Sequence, residues 1–582
     1  MSFSTPSWVP DLPLETIPDS VPVSEFILSE AHGRCPLSQS KSPFVCGLSG
    51  RQYSMLEVAR RVDWLARALA HELDWKPNSG SPWSKLATIF AWNTIDSLPV
   101  SWAVHRLSGI SSPAPAAYGV SELSYQLRVS KPKVLFTCRS LLDVACKAAR
   151  NVGIDDQHIY LFGGPEGVDV SLPFKTVDHL ISQGQQLPAL EQLVWERGQG
   201  ARQCAFLNFS SGTTGLPKGV IVSHRNVIAN ILQLVTYEKP CRKADQQNVV
   251  LGVLPQSHIY GLVVVCHISV YRGESVVVLP KMDMRVLANA IQQFQINVLF
   301  IVPPIVISMT SNKFLFDKFD LSSVTEVFTG AAHLDAAICR SLLMQYPSWK
   351  IRQAYGLTES ATVVSATSPA DIILGTCGSL LPGVQARLIS LSDGTEISEH
   401  NTPGELLIRS PSVTTLGYLN NLQATRDTFG TPGDEWLRTG DRAMFVRNGL
   451  RGSSHLVIVD RVKELIKVKG HQVAPAELEA CLLEHSLVAD AAVIPIPDPV
   501  AGEVPKAYIV PVGGGKSLSA EQSIRLKREI VEHVKEKKAR YKWLKGGVEL
   551  VEDIPKSPTG KILRRVLRDA EIKKQKDQKA SL

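Results

Sequence analysis

No two of the ten cysteines form a C-x-x-C pair, and the nearest, Cys138 and Cys146, are eight positions apart. That spacing excludes a zinc ribbon and a disulfide framework, and it points to a reducing compartment. Long hydrophobic runs are also missing. "GLVVVCHISV" and "VLFIVPPIVI" are too short or too broken by proline to span a membrane, and they read as buried strands. The opening residues, "MSFSTPSWVPDLPLETIPDS", lack the basic and then apolar regions of a secretory signal. No internal repeat or low-complexity tract occurs. Excess charge is confined to one place: residues 525–582 hold eighteen Lys and Arg against nine Asp and Glu, and the rest is near neutral. A basic end suits an anionic ligand, and a solvated helical face explains it equally well. No nucleic-acid-binding signature accompanies it.

What is present is an ordinary globular composition, 44% apolar and 20% charged, over 582 residues. That length exceeds what one core usually supports, so at least two domains are expected. Short β-branched runs such as "KVLFTC", "VVLGVLP" and "SVVVLP" alternate with helical patterns such as "EVARRVDWLARALAHEL" and "RVLANAIQQFQ". The alternation predicts α/β layers with a largely parallel sheet. A fresh α/β pattern follows "VIVDRVKELIKVKG", so the boundary is placed near Asp460–Lys463, giving domains 1–460 and 461–582.

The stretch "SSGTTGLPKG", residues 210–219, packs hydroxyls, glycines and one lysine between the strand-like "CAFLNF" and the helical "SHRNVIANILQLV". Such a loop offers backbone N–H groups, hydroxyls and the Lys218 charge to an anion, and its glycines permit close approach. The Walker pattern G-x-x-x-x-G-K-[ST] is not met, because Lys218 comes three residues after Gly215 and precedes Gly219.

The loop resembles the phosphate-binding signature of the adenylate-forming superfamily. "LPQSHIYG", "TGAAHL", "QAYGLTES", "WLRTGD", "VDRVKELIKVKG" and "PKSPTGKILRR" follow in that superfamily's order, nearest to its 4-coumarate–CoA ligase-like branch. The resemblance spans about residues 40–570. It implies a large multi-layer α/β N-terminal domain, a small mobile α+β C-terminal domain, and a two-step reaction. A carboxylic acid is first joined to AMP with loss of pyrophosphate, and the acyl group then passes to coenzyme A. Step one sets an acid anion against a triphosphate, so cationic and N–H donors are required. By resemblance, Ser210, Ser211, Gly212, Thr213, Thr214, Gly215 and Lys218 cradle the phosphates of ATP. Lys561 bridges the carboxylate and α-phosphate, Glu359 holds Mg²⁺, and Thr358 meets phosphate. Gln353, Ala354 and Tyr355 form the adenine platform, and Asp441, with Arg461 nearby, takes the ribose hydroxyls. An Asp after Gly at a turn is also a plain cap. Lys463 matches the hinge about which the C-terminal domain rotates between steps. Lys467, Lys469 and Gly470 then resemble the thioester-forming face, with Lys281 a further contact for coenzyme A. An edge strand carrying gatekeeper lysines is the alternative for that segment.

The acyl site is implied at His258 and Tyr260, with Gly330, Ala331 and Ala332 at the carboxylate end. Phe328 precedes Thr329 where plant hydroxycinnamate enzymes typically carry lysine, which favours an apolar aromatic or medium-chain acid. A carrier protein acting in trans is the alternative acceptor, and a luciferase-like oxygenase the alternative chemistry. The final Ala580–Ser581–Leu582 departs from the peroxisomal S-K-L address at its middle position, so the expected compartment is the cytosol, with the peroxisome as alternative.

Overall fold

The computed structural model describes residues 3–164, 172–210, 217–243, 245–332, 334–430, 436–447, 452–469, 471–514, 518–557 and 560–580. Two sheets of mainly parallel strands carry the N-terminal part. The first orders its strands Ile159–Leu161, Val134–Thr137, Leu86–Phe90, Ile110–Ala114, Cys204–Ser210 and Lys218–Ser223. The second runs Ser379–Leu380, Thr362–Ala366, Lys350–Leu357, Glu326–Thr329, Val298–Ile301, Val249–Gly252, Ser275–Val278 and Phe44–Cys46. Helices cover their faces, so central strands such as Leu86–Phe90 and Val298–Ile301 are buried on both sides and read as unbroken apolar runs. Helix Met55–Leu73 shows how local sequence sets an element: Ser54 and Glu57 close a capping box at its start.

A third, antiparallel sheet contains Gln385–Ile389, Gly404–Arg409, Leu437–Arg447 and Ser454–Arg461. Beyond it the chain builds a separate sheet, ordered His471–Val473, Ile466–Val468, Gly502–Pro511 and Val488–Asp498, with Val548–Leu550 parallel to Gly502–Pro511. Its apolar core, from Ile466 to Leu544, draws only on residues after 465. The molecule is therefore an α/β protein with a large N-terminal and a small C-terminal part.

Two segments differ from their sequence expectations. "GLVVVCHISV" is not a strand: Tyr260–Ile268 winds as a π-helix and continues helically through Ser269–Tyr271. Every residue of Tyr260–Ile268 is buried, and a segment buried on all sides carries no amphipathic period to separate helix from strand. "VLFIVPPIVI" divides, with a strand over Val298–Ile301 and a helix over Pro303–Ser311 that starts on proline. No described helix is long and apolar enough to cross a membrane.

Candidate active site

The carboxyl ends of parallel strands from both large sheets converge on one crevice, the usual ligand position of open α/β sheets. A cavity of about 340 Å³ opens there, walled by residues 91–93, 115–117, 253–255 and 280–282, which follow strands of the two sheets. Asn93 ties these strand ends together. Its amide nitrogen donates to the carbonyls of Val253, Leu254 and Leu279 at 3.3, 3.0 and 3.1 Å, and its oxygen accepts from Gln256 N–H at 2.8 Å. Lys556, Ser557 and Gly560 of the C-terminal part form the remaining wall.

Two strands over from Val298–Ile301 in the second sheet, strand Lys350–Leu357 carries Gln353, Ala354 and Tyr355. Gly356 cannot be replaced here, because a Cβ would stand 1.6 Å from the carbonyl oxygen of Thr362. The Tyr355 hydroxyl donates to Asp441, whose other oxygen pairs with Arg461 Nε at 2.7 Å across two antiparallel strands. Burial pushes the Asp441 carboxyl up, while Arg461, Tyr355 and Lys561 pull it down. The Gln353 side chain is spent inside the fold, its amide fitting Leu334 O at 3.2 Å and Gly375 N–H at 3.0 Å.

The strands on either side of the stretch 210–219 pair with each other. Cys204–Ser210 and Lys218–Ser223 pair antiparallel, with Ser210 opposite Lys218, before helix His224–Glu238 begins. A strand thus intervenes where the sequence reading passed from loop to helix. Ser211, Gly212, Thr213, Thr214 and Gly215 lie outside the described residues, as does Gly470. Lys218 Nζ sits 4.9 Å from the Tyr418 ring centroid, and the Tyr418 hydroxyl donates to Glu359 Oε1 at 2.7 Å. Burial, then the Glu359 charge, pushes that phenol up, so it remains a donor. Glu359 and Thr358 occupy the turn Thr358–Ser360, fastened by the bond from Thr414 N–H to Glu359 O at 2.8 Å.

His258 is partly buried and follows Ser257, which lines the cavity. Its Nδ1 accepts from Tyr260 N–H at 3.2 Å, which leaves the proton on Nε2. Burial and then the charge of Lys561 push it down to about 4, so the ring is a neutral donor near pH 7. Tyr260 donates to Phe328 O at 2.8 Å, and both rings pack with Phe300. Phe328 is only 1% exposed and sits behind this layer, under the Arg352 guanidinium at 4.9 Å. Gly330 lies beside Ala354, where a Cβ would come 3.0 Å from its carbonyl oxygen. Ala331 adopts φ +68°, a strained left-handed conformation for a residue with a Cβ, and Ala332 is the next residue of that loop. The Thr329 hydroxyl is buried with no partner among the described residues.

Lys561 arrives on a tight loop in which Ser557 N–H bonds Lys561 O at 2.8 Å and Lys561 N–H bonds Ser557 Oγ at 3.1 Å. Gly560, at φ +80°, rests against Pro304, and Arg564 anchors the loop by pairing with Glu464 and with Glu479 at 2.6 Å. Lys561 thereby joins His258, Asp441 and Arg461 in one electrostatic neighbourhood. Lys463, Lys467 and Lys469 are exposed elsewhere on the C-terminal part, Lys467 between buried Ile466 and Val468. Lys281 borders the cavity and is exposed. Asn93, Tyr418 and Arg564 carry no signal of their roles in the sequence, because their meaning lies in partners far along the chain. A neutral donor, a cation and an uncommitted hydroxyl around an apolar crevice suit an anion carrying an apolar tail.

Comparison with known proteins shows the family. Residues 38–419 match the family described as AMP-binding enzyme, and residues 477–561 match the AMP-binding enzyme C-terminal domain. The acyl-CoA ligase easD of Emericella nidulans is 40% identical over 578 residues, covering 98% of this chain and 100% of that protein. The acyl-CoA ligase AKT1 of Alternaria alternata is 40% identical over 574 residues, covering 98% and 97%. Among solved structures, the anthranilate CoA ligase AuaEII in complex with anthranoyl-AMP superposes with a TM-score of 0.79 at 22% identity, over 96% of this chain and 99% of that one.

Proposed function

We propose, from the premise that this chain belongs to the AMP-binding enzyme family and is an acyl-CoA ligase, that its substrate is an apolar aromatic or medium-chain carboxylic acid. One observation carries this reading. The proposed acyl wall of Tyr260, Phe300 and Phe328, with Arg352 over it, has none of its own polar side-chain groups free for a phenol among the described residues. The Tyr260 hydroxyl is spent on Phe328 O, and the Arg352 guanidinium on Thr367 O, Glu326 and Glu238. A buried phenol there would lose its hydrogen bonds to water without replacement, at a cost of about 1–3 kcal/mol.

In the first step the Lys561 ammonium and the His258 Nε2–H would hold the acid's carboxylate against the α-phosphate, with the Thr329 hydroxyl at the same end. Asp441 would exchange its Tyr355 and Arg461 partners for the ribose hydroxyls, which frees the Tyr355 ring to carry the adenine beside Ala354. Lys218 and the loop starting at Ser210 would meet the outer phosphates. Glu359 suits Mg²⁺, since one carboxylate oxygen is uncommitted among the described residues and this hard cation takes few protein ligands when phosphates supply the rest. When bound there, the ion would neutralise charge on the phosphates.

The loop of Lys556, Ser557 and Gly560 walls off the cavity that Lys281 borders. The pantetheine arm of coenzyme A would enter along that cavity, so the C-terminal part must swing away first, about Lys463. Lys467 and Lys469 would then face the adenylate. Incubation with ATP, coenzyme A and an acid panel, read by mass, tests the assignment. Cinnamate and hexanoate should give higher kcat/KM than 4-coumarate, and the reverse order would sink the apolar pocket. Acyl-AMP accumulating without acyl-CoA would redirect the acceptor to a carrier protein.

A further inference from the structure

We propose that Tyr418 is a positioning residue of the adenylation step, a spacer whose ring seats the Lys218 ammonium while its hydroxyl seats the Glu359 carboxylate. The inference rests on the reading of Lys218 as a phosphate contact and Glu359 as the Mg²⁺ ligand. Opposite charges brought to one side chain can pair directly with each other, which would quench the cation meant for phosphate and the anion meant for metal. Here each has the same neutral side chain as partner instead. Lys218 Nζ lies 4.9 Å from the ring centroid, and Glu359 Oε1 accepts from the hydroxyl at 2.7 Å.

The backbone holds the spacer in place from both sides. Ile221 N–H bonds Gly417 O at 3.0 Å and Leu419 N–H bonds Gly219 O at 2.8 Å, which adds residues 417–419 to the edge of strand Lys218–Ser223. Thr414 reaches both neighbours, its hydroxyl donating to Ile221 O and its N–H to Glu359 O. Tyr418 is 7% exposed, and its own N–H bonds Thr425 Oγ1 at 3.0 Å, so the ring has little freedom to leave. The phosphate hairpin and the metal-ligand turn, more than a hundred residues apart in sequence, are thus gauged against each other by one ring.

The test uses the full chain and the α,β-methylene analogue of ATP, with binding read by calorimetry in EDTA and in Mg²⁺. Retention of Mn²⁺ by the nucleotide complex, read by electron paramagnetic resonance, is the second observable. Tyr418→Phe removes the bond to a charged group and keeps the ring. Its affinity in Mg²⁺ and its retention of Mn²⁺ should fall about tenfold, while affinity in EDTA shifts by less than about twofold. Tyr418→Leu removes the spacer, so Lys218 and Glu359 pair and affinity in EDTA falls about tenfold as well. Equal losses for Tyr418→Phe in both media, or none in either, would overturn the proposal, as would wild-type binding by Tyr418→Leu in EDTA. Tyr418→Phe decides alone if Tyr418→Leu does not fold. Lys218→Ala and Glu359→Gln serve as references. If they leave nucleotide and metal binding intact, the underlying site reading fails. If they respond and Tyr418→Phe does not, the spacer alone fails.

Discussion

Lys561 is held among other charged groups. Burial and the nearby Arg461 push its ammonium down, with Glu464 and Asp441 opposing. A cation held in place can act on charge that develops between carboxylate and α-phosphate, where such groups are worth most. Lys561→Ala should therefore slow acyl-AMP formation by on the order of 100-fold. Transfer from supplied acyl-AMP should be far less affected, and equal loss in both half-reactions, measured separately, would remove Lys561 from its assigned role. Residues of this kind are legible in sequence because "PTGK", "RTGD" and "TES" place them within short strings. Tyr418 lies in plain view in "LGYLNN", yet its partners Lys218 and Glu359 are brought to it only by the fold.

At the scale of elements, the π-helix Tyr260–Ile268 and the helices Ser97–Arg106 and His224–Glu238 share a core that includes three buried histidines. Burial keeps each ring neutral, and each makes at least one hydrogen bond. His267 accepts from Trp102 Nε1–H at 3.1 Å and contacts Leu262 O at 2.6 Å; His224 Nδ1 accepts from Val23 N–H at 3.0 Å; His105 contacts Ala205 O at 2.9 Å. Burial pushes His105 down to about 3 and His267 to about 4, and holds His224 well below its ordinary value. The unfolded chain takes up these protons near pH 6.5 while the folded chain refuses them. Their contribution to stability is whole above that pH and is lost as pH falls toward 4, by about 2 kcal/mol at pH 5 for each of His105 and His267. The thermal midpoint at fixed heating rate should drop steeply between pH 6.5 and 4.5, and a flat profile down to pH 5 would contradict the packing argument. The same helices mark the limit of pattern reading. "RVLANAIQQFQ" announces a helix through its polar face, whereas "GLVVVCHISV" has no polar face to announce anything. The α/β class was legible because strands and helices alternate, but the hairpin that presents Lys218 was hidden in a strand of six residues.

At the scale of the molecule, the proposed site roles require two arrangements, one for each step. With Lys561 beside His258 and Asp441, the loop ahead of it closes the cavity through which coenzyme A would reach the adenylate. A crosslink that holds this arrangement should therefore separate the two half-reactions. Gly560 and Pro304 offer the site: a Cβ built on Gly560 lies 3.6 Å from the Cβ of Pro304, within the range a disulfide spans. The left-handed φ of +80° at Gly560 adds strain to a cysteine there, about 1 kcal/mol, which a formed disulfide can outweigh. The ten native cysteines are all unpaired, so the Pro304→Cys, Gly560→Cys chain acquires its bridge against a thiol background whose own behaviour the unmodified protein reports under the same oxidant. Oxidised, the variant should form and retain acyl-AMP while acyl-CoA production falls at least about tenfold, and dithiothreitol should restore transfer. Undiminished acyl-CoA formation in the crosslinked protein, with the bridge verified by mass, would show that both steps proceed without the C-terminal part leaving the cavity.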